Sequence, residues 1–194
     1  VSSAASDVYK RQLLIFHIDY NDYNEGGKYI SYLLTPATVC LAVPLYEQIH
    51  LLKKNLKAVA AGIISGTLAG LCSILLMSKL FGFNHQEYVT MLPKSITTAI
   101  GMGVSEELGG IVTITVAVII ITGVLGNMIA EVVYKIAKIE EPIARGLGLG
   151  TSAHAIGTAK AMELGPVEGA MSSLAIAVAG LLTVVGASVF AGMM

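Results

Sequence analysis

The sequence predicts an all-α polytopic membrane protein, built from inverted repeats that each join a re-entrant or broken helix to a spanning helix. Three observations carry this. The chain is 55% hydrophobic and only 13% charged over 194 residues, where a soluble domain carries about 25% charged residues. Four uncharged stretches approach or exceed the roughly 20 apolar residues that a spanning helix needs. Between them, a glycine-rich polar segment recurs with a shift of 56 residues.

VSSAASDVYKRQ, residues 1–12, is polar and unpatterned and lacks the apolar core of a signal peptide. It reads as a leader foreign to the rest of the chain, with residues 13–194 forming a single transmembrane domain. Leu13 to Phe16 is too short to span and reads as the remnant of a longer apolar segment. Tyr29 to Tyr46 is the first span, with kinks expected at Pro36 and Pro44, each of which removes a backbone donor. Ala58 to Ser78 is the second. Gly62, Gly66 and Gly70 recur along it at every fourth residue, a close-packing face for another helix of this chain or for a partner subunit in a homo-oligomer. Ile111 to Ala130 is the third span and Gly169 to Met194 the fourth.

Lysine and arginine favour the cytoplasmic side. Lys53, Lys54 and Lys57 precede the second span; Lys135, Lys138 and Arg145 come after the third. Both groups belong inside, and the loop FGFNHQEYVT, free of Lys and Arg, belongs outside. The chain from Ser78 to Lys135 then crosses an odd number of times. Ile111 to Ala130 supplies one crossing, so Pro93 to Gly110 makes no net crossing. A re-entrant hairpin or paired half-helices meets this demand, because irregular backbone at membrane depth is tolerated where protein or a water-filled cavity surrounds it. A broken helix that does cross is the alternative.

AIGMGVSEELG (Ala99–Gly109) aligns with AIGTAKAMELG (Ala155–Gly165), with Ser95 opposite Thr151 and Thr98 opposite His154. A unit of one re-entrant segment and one span has an odd crossing number, so two copies face opposite ways. Interrupted helices in such repeats bring half-helix termini together near the membrane midplane. The candidate binding groups are Lys94, Ser95, Thr97, Thr98 and Glu107 in the first copy, and Thr151, Ser152, His154, Thr158 and Lys160 in the second. Hydroxyls and free N–H groups at a helix N-terminus suit an anion, here the carboxylate of a small organic acid. His154 titrates near neutral pH and would couple proton movement. Plainer roles stand beside these. Lys160 and Arg145 snorkel at the interface, the hydroxyls bond their own helix carbonyls, Glu107 caps a turn, and His154 is a satisfied core histidine.

Other classes are disfavoured. A net charge of −1 gives no basic surface for nucleic acid. Cys40 and Cys72 stand apart in apolar runs and read as packing residues. No nucleophile–base–orienter set, zinc motif or cofactor fingerprint is present, so an enzyme is not expected.

TPATVCLAVPLYEQ, PKSITTAIGMGVSEELGG and EPIARGLGLGTSAHAIGTAKAMELGPVEGAMSSLA together resemble the LrgB/CidB family of bacterial membrane proteins, from about Asn24 to the C-terminus. The resemblance implies an antiholin-like protein of the cytoplasmic membrane that modulates murein hydrolase activity and autolysis beside a holin-like LrgA/CidA-type partner. Related proteins move small carboxylates: pyruvate in bacteria, glycolate and glycerate in the plastid relative. Two departures from the family pattern matter. The pattern has further apolar sequence where residues 1–12 stand, so one or two N-terminal spans are expected to be missing. Ala99 stands where the motif more often has Pro, so the first break should be the gentler one. The resemblance leaves two readings: a secondary transporter of small monocarboxylates, or a regulatory subunit of a holin-like pore with no transport of its own.

Overall fold

The computed structural model describes residues 20–32 and 42–194, and Phe16, Pro36 and Cys40 besides. The described residues are helical and contain no strand. The chain divides into two compact units, Val1–Leu41 and Ala42–Met194. The leader expected over residues 1–12 lies outside the described residues, as does much of the first expected span. In the first unit, α1 (Tyr20–Ser31) carries an ion pair between Lys28 and Glu25 at 3.7 Å.

The second unit begins with two short helices, α2 (Ala42–Glu47) and α3 (Ile49–Lys54). Pro44 stands in the first turn of α2, where its missing N–H interrupts no helical bond. Three helices are then long and apolar enough to cross a membrane: α4 (Leu56–Phe81), α7 (Val112–Ile136) and α9 (Pro166–Ala191). They cover the second, third and fourth expected spans. One stripe of α4 is buried, through Val59, Ile63, Thr67, Leu71, Ile74 and Ser78. Steps of three and four residues put all six on a single helix face. Cys72 falls off that stripe and is exposed, and Cys40 is exposed too, so neither is the packing residue expected.

Helical hairpins separate the spans. The first opens at a capping box: Glu87 N–H donates to Asn84 Oδ1 at 2.9 Å and Asn84 N–H to Glu87 Oε2 at 2.8 Å. This starts α5 (His85–Met91) inside the stretch expected to be an outer loop. The Asn-x-x-Glu spacing that nucleates it is present in the sequence. A non-helical link over residues 92–97 leads to α6 (Thr98–Glu107). The α6 arm returns beside α5. Thr115, at the start of α7, donates to the Thr90 carbonyl of α5 at 2.9 Å and shares a 2.7 Å hydrogen bond with Ser105 of α6.

The second hairpin is α8 (Pro142–Leu164), broken at His154, whose φ of 42° and ψ of −137° lie outside helical space. A side chain at Gly157 would sit 2.8 Å from the Leu149 carbonyl oxygen. In a straight helix those residues stand about 12 Å apart along the axis, so the chain turns back at His154. Packing on α9 agrees. Gly146 and then Gly150 of the first arm meet Glu168 and then Ser172, running with α9. In the second arm Thr158 meets Ser172 and Met162 meets Gly169, running against it. The first break, six residues wide around Pro93, is therefore the broader of the two, not the gentler. Pro93 has no N–H to continue α5, which outweighs the presence of Ala at 99.

Each hairpin returns the chain to the end it left, so α7 runs against α4 and α9. Val59 and Ile63 of α4 pack with Met171 and Ala175 of α9 at one end. Leu71 and Ile74 pack with Ala187 and Phe190 at the other. The hairpins accordingly project into the bundle from opposite ends. The 56-residue register extends beyond the sequence match. Phe83 N–H donates to the Ser78 carbonyl at 2.9 Å and Ile139 N–H to the Tyr134 carbonyl at 2.8 Å. Gly82 and Lys138 both take left-handed backbone at these helix ends, with φ of 68° and 53°.

Candidate functional site

The tips of the two hairpins meet near the middle of α4 and α9. A cavity of ≈ 10 Å³ lies there, walled by Thr67 of α4, Ser95 of the first hairpin's link, Thr151 of α8 and Thr183 of α9, with Leu71, Ile74 and Leu92 as apolar neighbours. That is about the room one water requires. Ser95 and Thr151 are the residues paired by the 56-residue shift, now found on one wall. Thr67 Oγ1 is buried with no hydrogen-bond partner, the one such side-chain atom among the described residues. Leaving a buried hydroxyl unpaired costs about 1–3 kcal/mol, a cost that a bound polar group would remove. Thr151 is already supplied, donating to the Leu147 carbonyl at 2.8 Å.

The glycine face of α4 makes this meeting close. A Cβ at Gly66 would lie 2.7 Å from Thr151 Oγ1, and one at Gly62 2.8 Å from Leu147. Of the two partners expected for this face, it meets a helix of its own chain, the first arm of α8; Gly70, with nothing within 4 Å of a Cβ, borders the cavity.

Lys94 brings a positive charge. It is half-buried, donates from Nζ to Ser95 Oγ at 2.9 Å, and pairs with no carboxylate among the described residues. His154 lies on the far side of α8 from the cavity. Its Nε2 donates to the Ile119 carbonyl of α7 at 2.8 Å, which fixes the proton on Nε2 because a carbonyl only accepts. Gly123 makes room for the ring: a Cβ there would sit 2.6 Å from Cε1. Lys94 is near enough to interact electrostatically with His154. Thr158 bridges inward, donating to the His154 carbonyl at 3.1 Å and sharing a 2.7 Å bond with Ser172. Thr97 takes the N-cap position of α6 without a side-chain capping bond, and Thr98 is its first residue. Both α6 and the second arm of α8 begin at the tips, so their positive helix ends and free N–H groups lie toward the centre.

The remaining expected residues lie elsewhere. Glu107 is exposed at the outer end of α6. Ser152 is exposed and donates to the Gly148 carbonyl at 2.6 Å. The Lys160 ammonium is held between Glu131 at 2.6 Å and Glu163 at 3.3 Å. Thr67 and Thr183 were not singled out in the sequence, although a hydroxyl deep inside an apolar span is itself a signal. Among the described residues no group of acidic, His and Cys side chains is arranged to hold a metal.

With this geometry in view, comparison with known proteins decides the relationship. The profile of the LrgB-like family matches residues 7–193. The chain belongs to the LrgB-like family. Holin-like protein CidB of Staphylococcus aureus (strain N315) is 40% identical over 171 residues, 88% of this chain and 75% of the relative. Antiholin-like protein LrgB of Bacillus cereus (strain B4264) is 38% identical over 173 residues, 89% of this chain and 75% of the relative. No solved structure matches at a significant level. This LrgB-like protein is thus a multi-pass helical membrane protein.

Proposed function

We propose that this LrgB-like protein is a secondary transporter of small monocarboxylates of the pyruvate or glycolate type, with its two span-plus-hairpin units acting as an inverted repeat in the bacterial cytoplasmic membrane. The observation that carries the reading is the conjunction at the hairpin tips: the unpartnered Thr67 hydroxyl, Ser95, and Lys94 without a carboxylate. A carboxylate supplies what each lacks, a negative charge for the ammonium and acceptor oxygens for the hydroxyls. Two half-helix N-termini add favourable dipoles from opposite sides. At ≈ 10 Å³ the cavity is closed around less than a substrate, so binding requires the hairpins to part. The glycine contact between Gly66 and Thr151 is where parting would register. Lys53, Lys54, Lys57, Lys135, Lys138 and Arg145 all fall at one end of the bundle, which the positive-inside rule assigns to the cytoplasm.

A second reading has support of its own. The relatives carry the names holin-like and antiholin-like, and α7 exposes Ile121, Leu125, Met128 and Val132 on a surface that lipid or a holin-like LrgA/CidA-type partner would cover. On that reading the protein regulates a pore that governs murein hydrolase activity and autolysis, and moves no substrate. The test is uptake of labelled pyruvate and glycolate into proteoliposomes, with and without the holin-like partner. Saturable uptake by the LrgB-like protein alone is expected. Absence of uptake of both acids by folded protein, in either format, overturns the transport reading and favours the regulatory one.

A further inference from the structure

A second cavity lies away from the hairpin tips. It occupies ≈ 390 Å³ at the basic end, where α7 finishes and α8 begins. Its cations are Lys135, Lys138 and Arg145, and its carboxylates are Glu131 and Glu140. Glu131 is occupied by Lys160 at 2.6 Å. Three cations therefore face one uncommitted carboxylate. Arg145 is held in place: its Nε donates to the Ile139 carbonyl at 2.7 Å, and its guanidinium lies 5.8 Å from the centre of the Tyr134 ring. The Tyr134 hydroxyl donates in turn to the Arg145 carbonyl at 2.7 Å.

The surroundings say which anion fits. At about 100° per residue, Met128 and Val132 lie beside the face of α7 that carries Glu131 and Lys135, with Lys138 in the turn just past the helix end. Both are exposed, at 70% and 57%, as is Ile136 at 78%. A charged pocket at the end of a spanning helix, continuous with an apolar strip running into the membrane, matches an amphiphile: an anionic head with acyl chains. We infer that this pocket binds the phosphodiester headgroup of an anionic phospholipid. Lys135 and Lys138 neutralise the phosphate, Arg145 offers its remaining N–H donors to the phosphate oxygens, and the chains lie along Met128, Val132 and Ile136. The inference is independent of whether the protein transports a carboxylate.

The test is native mass spectrometry of the full-length protein released from nanodiscs of mixed phosphatidylglycerol and phosphatidylcholine. Wild type is expected to retain phosphatidylglycerol in clear preference. The Lys135→Gln/Lys138→Gln double variant should lose affinity by roughly 30-fold, the combined weight of two interfacial cations, and Lys135→Arg/Lys138→Arg should keep it. Equal retention of the two lipids by wild type, or an unchanged preference in the double Gln variant, overturns the proposal. So does displacement of the lipid by millimolar glycerol phosphate, which would make the site one for a free phosphate. If the double Gln variant does not fold, the lipid preference of wild type and of the Arg variant still decides the matter.

Discussion

Replacing Gly157 with Ala tests whether α8 turns back on itself. The added methyl would stand 2.6 Å from Ala153 Cβ and 2.8 Å from the Leu149 carbonyl oxygen. The second neighbour is backbone of the opposing arm and has no rotamer to change. Restoring ordinary contacts of 3.4 Å requires about 0.6 Å more room from the Leu149 oxygen and about 0.8 Å from Ala153 Cβ, in a segment already packed on α7 and α9. Overpacking of this kind costs about 1–3 kcal/mol. Gly103→Ala is the control, since nothing lies within 4 Å of a Cβ there. In detergent, the thermal unfolding midpoint of Gly157→Ala should fall by several degrees, while Gly103→Ala should hold or rise slightly, because Ala favours helix. If α8 were a continuous helix, residue 157 would be far from Leu149 and the Ala substitution would stabilise. A Gly157→Ala midpoint at or above wild type refutes the hairpin.

Single contacts set the other expected outcomes. At His154 the backbone sits in a region that glycine enters at little cost, so His154→Gly should be more stable than His154→Ala by about 1–2 kcal/mol, as read by thermal unfolding of the two variants. Thr90→Val removes the acceptor of the Ile111 N–H, 2.8 Å away, and should cost about 1–3 kcal/mol by the same measurement. Lys94→Met should raise the KM for carboxylate uptake by about 10- to 100-fold, the weight of one charge-assisted hydrogen bond, with Lys94→Arg recovering part of it.

The spans were legible because an uncharged run of membrane length has few alternatives. The hairpins were legible in part. The 56-residue match pairs Ser95 with Thr151, and the cavity wall joins them, yet α5 looks like a loop in the sequence because its seven residues are too few for a periodic pattern. Only the Asn84–Glu87 cap marked it. Glu107 and Glu163 matched as a pair, but both lie at the outer ends of hairpin arms, where a shared turn role accounts for the match as readily as a shared site. Thr67 was invisible for the opposite reason: Ser65, Thr67, Ser73 and Ser78 are scattered through 26 otherwise apolar residues of α4, and nothing in the pattern sets one of them apart. Its meaning appears only when the facing residues fail to bond it.

The central claim, a carboxylate site where the hairpin tips meet, is tested most directly by protection of an engineered thiol. Cys40 and Cys72 are exposed and are replaced by Ser, and Thr151→Cys is introduced. Modification by a small water-soluble methanethiosulfonate is then measured with and without pyruvate or glycolate. A carboxylate site at the tips predicts slower modification in the presence of a transported acid, with a Gly103→Cys control unaffected. A modification rate at position 151 that ignores both acids, at concentrations saturating uptake, would contradict it.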